Sequence, residues 1–330
     1  MYSPPEPPQA VTSPFYAALA LLLFCLFNPY PAVVSSAADQ DIILPDYPVM
    51  PSKYGEIIYR INEKSPKQLY IIGISHRDPG NGVNDGNTVQ TQAEIFRIGE
   101  WLNRNLNLEL LLPEGYFVEK KDYSPALTPM EEAGDDLPVS LLNNVLLLEK
   151  LADETRFVNA EMLLMEQFNM PASQVEDRKI YNAVYQCLGE LREKRFERLP
   201  PAEMIVELEY LQDIRTAALL QKIPEVIEDE LQNRTIRNPS ALFTIGLNHI
   251  QDILHYLEKN KILIDALPHD LNHLQNYRDA ELNLLTSGYG VTIIIPRTLA
   301  DNRGLLQMTN LDRIPLADGG ESVQPLIPEP

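Results

Sequence analysis

Apolar positions change period along this chain. Short continuous apolar runs bounded by turn residues read as strands buried on both faces, whereas 3.6-residue spacing reads as helix. Gly55–Ile61 (GEIIYRI), Leu69–Gly73, Leu106–Pro113, Ala241–Gly246, Lys261–Leu267 (KILIDAL) and Gly288–Pro296 (GYGVTIIIP) are of the first kind. Glu63–Lys67 supplies a turn, so the first two runs are expected to pair as a hairpin. Thr88–Asn105, apolar at Val89, Ala93, Phe96, Ile98, Trp101 and Leu102 with Thr88 as N-cap, is predicted helical, as is Ile250–Lys259.

From Pro138 to Gln232 the pattern differs. Leu, Glu, Ala and Met recur at helical spacing, punctuated by Pro171, Pro200, Pro201 and Pro224. Four or five helices are expected there, in a bundle or cap, with Leu141, Val145, Leu148 and Leu151 forming a core stripe. The fold class is therefore α/β: a first half over 55–137, a helical insertion over 138–235, and a second half over 236–312. A proline-rich lead-in spans 39–54, and the tail at 313–330 reads as flexible.

Residues 1–38 stand apart. Phe15–Phe27 (FYAALALLLFCLF) carries no charge, and the small residues Val34-Ser35-Ser36-Ala37-Ala38 follow. An apolar core this short fits a signal peptide better than a membrane span. The N-terminal region lacks the usual positive charge, and residues 15–34 could instead serve as an uncleaved anchor. Both readings place the body outside the cytoplasm: secreted, periplasmic or membrane-anchored facing outward. Signal removal would take Cys25 away and leave Cys187 without an intrachain partner, so Cys187 is expected as a small buried residue.

Composition adds two exclusions. At 45% hydrophobic and 22% charged, the chain is globular rather than disordered. Its formal charge of −20 opposes nonspecific attraction to nucleic acid or an anionic membrane. No phosphate-binding glycine loop and no Gly-x-Ser-x-Gly elbow is present.

The candidate chemistry lies in a repeat. Leu69-Tyr70-Ile71-Ile72-Gly73-Ile74-Ser75-His76 returns as Leu242-Phe243-Thr244-Ile245-Gly246-Leu247-Asn248-His249. With 5 histidines and 15 glycines in 330 residues, two such spacings would arise by accident about 2% of the time. Glycine at a strand exit allows a sharp turn or a close approach. Each histidine is delivered to the edge of the sheet, where α/β proteins bind ligands.

Glu114 follows Leu110-Leu111-Leu112-Pro113 and should emerge at another strand end. Two imidazoles and a carboxylate would make a facial ligand set for a divalent ion, whose bound water would then be acidified. Glu114 can equally be a surface turn residue. Glu109 is a weaker alternative, directed sideways by strand alternation. Asp78 reads as a ligand, an orienting partner or a turn former before Pro79. Asn248 reads as a substrate contact or a helix cap. Arg234 and Arg237 can clamp a carboxylate or stabilise an oxyanion, or can be surface charges. His255, His269 and His273 lack the glycine context.

These motifs, Gly73-Ile-Ser-His76 and Gly246-Leu-Asn-His249 with Glu114 between them, resemble the TraB/PrgY–Tiki–GumN family of the EreA/ChaN-like superfamily. The resemblance covers Gly55–Gly115 and Arg234–Leu267. It implies an EreA/ChaN-like sheet with flanking helices and a central helical insertion. It also implies a metal-dependent hydrolase, best a peptidase using Mn, Co or Zn on peptides or secreted signals. Carried over, His76, Glu114 and His249 would hold the metal, with Glu114 and Arg237 catalytic. Some branches instead bind ligands such as haem, so a sequestering protein is the alternative. The expected partner is a peptide or small molecule.

Overall fold

The computed structural model describes residues 48–74, 86–117, 144–153, 158–195, 202–264 and 279–311. Five strands form one sheet: β1 (Gly55–Ile61), β2 (Gln68–Ile74), β3 (Leu110–Pro113), β4 (Ser240–Gly246) and β5 (Gly290–Pro296), in the order β1-β5-β2-β4-β3. All neighbours are parallel except β1, which runs antiparallel to β5. The helices are α1 (Gly86–Leu106), α2 (Asn144–Ala152), α3 (Ala160–Phe168), α4 (Arg178–Arg195), α5 (Ala202–Gln232), α6 (Ile250–Lys259), α7 (Asn283–Thr286), α8 (Arg297–Ala300) and α9 (Arg303–Met308).

Strand alternation sends successive side chains to opposite faces, and each face has its own core. Leu69, Ile71, Phe243, Ile245 and Ile293 pack with Ile214, Leu219 and Ile223 of α5 and Ile253 and Leu257 of α6. Ile72, Ile74, Leu111 and Leu242 pack on the other side with Phe96 and Ile98 of α1 and Leu163 and Leu164 of α3. Strands from both halves of the chain interleave, so neither half closes a sheet alone. The outer edge of β3 is covered: Leu111 N–H donates to Pro171 O, and Ser173 N–H donates to Leu111 O, both at 2.9 Å. That pairing removes an exposed edge.

Several expectations need correction. β1 and β2 do not pair as a hairpin, because β5 lies between them. The reason is burial: β5 is buried throughout and takes an interior place, whereas β1 is only half-buried and suits an edge. The expected Lys261–Leu267 strand is reduced to one antiparallel bridge, Lys261 with Glu281, and 265–267 lie outside the described residues. Pro224 does not end a helix; it sits inside the 31-residue α5. In α2 the buried positions are Leu147 and Leu151, with Val145 59% exposed. The run Val145-Leu146-Leu147-Leu148 is apolar at every position, so spacing alone could not choose its face. Residues 1–47, Leu141, Pro200, Pro201 and the 313–330 tail lie outside the described residues. Among the described residues, no helix is long and apolar enough to cross a membrane.

Candidate functional site

Three parallel strands end side by side. β2 and β4 pair one to one, from Gln68 with Ser240 to Ile74 with Gly246. β3 lies against the other side of β4, and Glu114 N–H extends that ladder to Thr244 O at 2.9 Å. After Gly246 the chain makes a single 3-10 turn, Leu247–His249, and enters α6. Gly73 lets that turn sit close. A Cβ there would lie 2.8 Å from Leu247 Cδ1 and 3.0 Å from Ile250 Cγ1. Of the two roles open to glycine at a strand exit, Gly73 serves close approach.

Glu114 is held on both oxygens. Oε2 accepts the Gly246 N–H at 2.6 Å, while Oε1 lies 2.7 Å from Arg215 Nη1 and 3.8 Å from His249 Nε2. Arg215, on α5, forks onto a second buried carboxylate: its Nε donates to Glu176 Oε2 at 3.2 Å and its Nη2 to Glu176 Oε1. Glu176 Oε1 also accepts Gly115 N–H at 3.1 Å, at a glycine with φ +72°. The Tyr181 ring lies 5.1 Å from the guanidinium carbon, and Phe117 meets that ring edge-on at 4.9 Å. Burial by itself would lower the Arg215 guanidinium, but Glu114 and Glu176 outweigh it and hold the group above its ordinary value. Two carboxylates around one guanidinium leave this cluster one negative charge in excess. The Lys222 ammonium stands at its rim, 3.4 Å from Glu176 O.

His249 is buried, with Nδ1 2.7 Å from Thr216 Oγ1. Thr216 in turn donates to Gln212 O at 2.9 Å. Successive residues of α5 thus fix both partners: Arg215 holds Glu114 and Thr216 holds His249.

Of the residues expected to act, the structure brings Glu114 and His249 together. His76 and Asp78 lie outside the described residues, as do His269 and His273. The strand that leads to His76, β2, ends beside β4. Arg237 is not brought to this group. It precedes β4, at the other end of a seven-residue strand, about 20 Å away by strand rise. Its N–H and that of Asn238 donate to the Glu109 carboxylate there, and Arg237 is an exposed residue. Arg234 is also exposed, in a left-handed turn at φ 58°. Asn248 is exposed, and the N-cap position of α6 falls to His249. Cys187 is buried on α4, where desolvation raises its thiol pKa and Met204 O lies 3.8 Å away.

Arg215, Glu176 and Thr216 escaped the sequence reading. One signal existed: Arg215 interrupts the apolar run Ile214 to Leu220 (IRTAALL), and a charge in a buried helical stripe needs a buried partner. Glu176 and Thr216 carry no comparable mark.

His249 Nε2 and Glu114 Oε1 suit a divalent ion that takes nitrogen and oxygen ligands. Two ligands each bound at ~2.1 Å in tetrahedral geometry lie ~3.4 Å apart, and the 3.8 Å separation here is somewhat wider. Among the described residues, no group of three or more His, Cys, Asp or Glu side chains is placed to hold such an ion. Comparison of the chain with protein-family models, with curated proteins and with solved structures finds no match.

Proposed function

We propose that this protein is an extracytoplasmic, metal-dependent hydrolase of peptides, with the TraB/Tiki-like organisation that its paired motifs resemble. The supporting observation is the convergence of Glu114 and His249, 3.8 Å apart, from neighbouring strand ends. His249 and Glu114, with His76 as the third ligand that the resemblance implies, would hold Mn, Co or Zn. The ion would supply an acidified water and a polarised substrate carbonyl.

The chain's own groups set the stage. Arg215 commits Nη1 to Glu114 and Nε and Nη2 to Glu176, so it acts as a positioning residue for both carboxylates. Gly246 N–H and Arg215 Nη1 hold one Glu114 oxygen each, which leaves the carboxylate little rotational freedom. The ring of His249 is fixed from behind by Thr216, with Nε2 on the side of Glu114. Arg237 has no part in this reading.

The test is cleavage of a mixed peptide library with Mn, Co or Zn, and again after chelation. Wild type and Arg237→Ala should cleave in a metal-dependent way, and His249→Ala and Glu114→Gln should lose cleavage by at least a hundredfold. Cleavage by His249→Ala equal to wild type would overturn the reading. Stoichiometric protection of peptides without products, or a Soret band on haem addition, would move it to a sequestering protein.

A further inference from the structure

The hydrogen-bond chain behind His249 has a direction. Thr216 has a single hydroxyl proton, and its Oγ1 lies 2.9 Å from Gln212 O and 2.7 Å from His249 Nδ1. A main-chain carbonyl only accepts, so that contact takes the hydroxyl proton. With the hydroxyl proton donated to that carbonyl, the hydroxyl oxygen is the acceptor toward the imidazole, and Nδ1 is the nitrogen that carries a proton. We propose that Thr216 is the positioning residue that holds neutral His249 as its Nδ1–H tautomer, which turns the Nε2 lone pair toward Glu114.

The value of this tautomer rests on the hydrolase reading. A cation ligand or proton acceptor needs the bare nitrogen on the side of the site, and the hydrogen bond made by the other nitrogen decides which one that is. Thr216 is fully buried and His249 nearly so, so water does not readily replace the hydroxyl. The sequence feature is minimal, a threonine directly after the buried arginine. Because Arg215 and Thr216 are consecutive on α5, one helical turn fixes both the carboxylate and the imidazole. A shift of α5 would disturb both at once.

The experiment uses whole protein with nitrogen-15-labelled histidine, recorded on the alkaline side of the imidazole titration. The His249 signals are identified by their loss in His249→Ala. Wild type should show a protonated Nδ1 and a bare Nε2, and Thr216→Ser should keep that pattern. Thr216→Val, which keeps the shape and removes the hydroxyl, should move the proton to Nε2. Zinc titration of the same samples should show about tenfold to a hundredfold weaker binding in Thr216→Val, with binding restored in Thr216→Ser. A protonated Nε2 in wild type, or an unchanged tautomer in Thr216→Val, would overturn the proposal. If the valine variant does not fold, the wild-type spectrum decides. Zinc that fails to bind wild type, with the tautomer results intact, would instead sink the metal-dependent reading and leave the role of Thr216 in place.

Discussion

At the N-terminal edge of the sheet, the Glu109 carboxylate ends on the N–H groups of Arg237 and Asn238 and on the Asn238 amide, the latter two at 3.0 and 2.9 Å. At the C-terminal edge, Glu114 faces a buried guanidinium, a buried imidazole and one main-chain N–H. Both glutamates flank β3, and both have an arginine as neighbour in space. Glu109 ties down a turn through backbone donors, and the Arg237 side chain takes no part in that bond. Glu114 is paired with a buried guanidinium and faces an imidazole, a side chain that can take a ligand. The edge at which a carboxylate emerges therefore says more than its company in the sequence.

The largest effect expected from this contrast is at Arg215. Arg215→Met leaves Glu114 and Glu176 buried without their shared cation, which should cost about 3–5 kcal/mol. Arg237→Met, at an exposed side chain, should stay within about 0.5 kcal/mol of wild type. Urea unfolding of the two variants checks this, and equal midpoints would erase the distinction between the edges. Next comes Gly73→Ala, whose added methyl meets Leu247 and Ile250 at 2.8 and 3.0 Å. Overpacking of this kind costs about 1–3 kcal/mol. It should also displace the turn that carries His249, so library cleavage should fall more than the loss of stability accounts for. Normal cleavage at a temperature where the variant is folded would show that the turn tolerates the shift. Glu109→Ala should cost about 1–2 kcal/mol through its lost charge-assisted hydrogen bonds, with cleavage unchanged. A Glu109→Ala variant that loses cleavage would join the two edges into one functional unit.

How much of this was legible follows the length scale of each signal. β4 with α6, and the burial of β2, came from short apolar runs and a strong helical period, where local pattern and tertiary role agree. The place of β5 between β1 and β2 was not legible, because turn chemistry reports sequence neighbours and cannot report a strand arriving from the far end of the chain. Glu114 and His249 were legible because Glu114 directly follows an apolar run and His249 lies three residues past the glycine that ends another, and parallel strands bring such ends together. Arg237 was misplaced for a related reason. It lies close to the motif in sequence, but on the entry side of β4 rather than the exit side. Arg215 and Glu176 come from helix and loop segments whose packing onto strand ends has no local pattern. Among the described residues, Arg215 and Glu176 were thus the least readable part of the site.

The smallest effect concerns Asp252, three residues past His249 in the first turn of α6. A helix N-terminus normally favours a carboxylate and lowers its pKa. Here burial wins and pushes the Asp252 carboxyl up to about 7. The native state therefore holds a proton that the unfolded chain, with an ordinary value near 3.9, releases. That proton's contribution to stability is complete below about pH 4 and is lost as pH rises through 7. Asp252→Asn, neutral throughout, should match wild type at low pH and exceed it above neutrality. The gap should be on the order of 1 kcal/mol, because water reaches part of this half-buried side chain and screens it. Melting temperatures across pH 4 to 8 measure it. A gap that is constant with pH would mean that the amide changes packing rather than charge. Wild type more stable than Asp252→Asn above neutrality would mean that the helix terminus, and not burial, governs this carboxyl, and that the C-terminal edge stabilises negative charge well beyond Glu114.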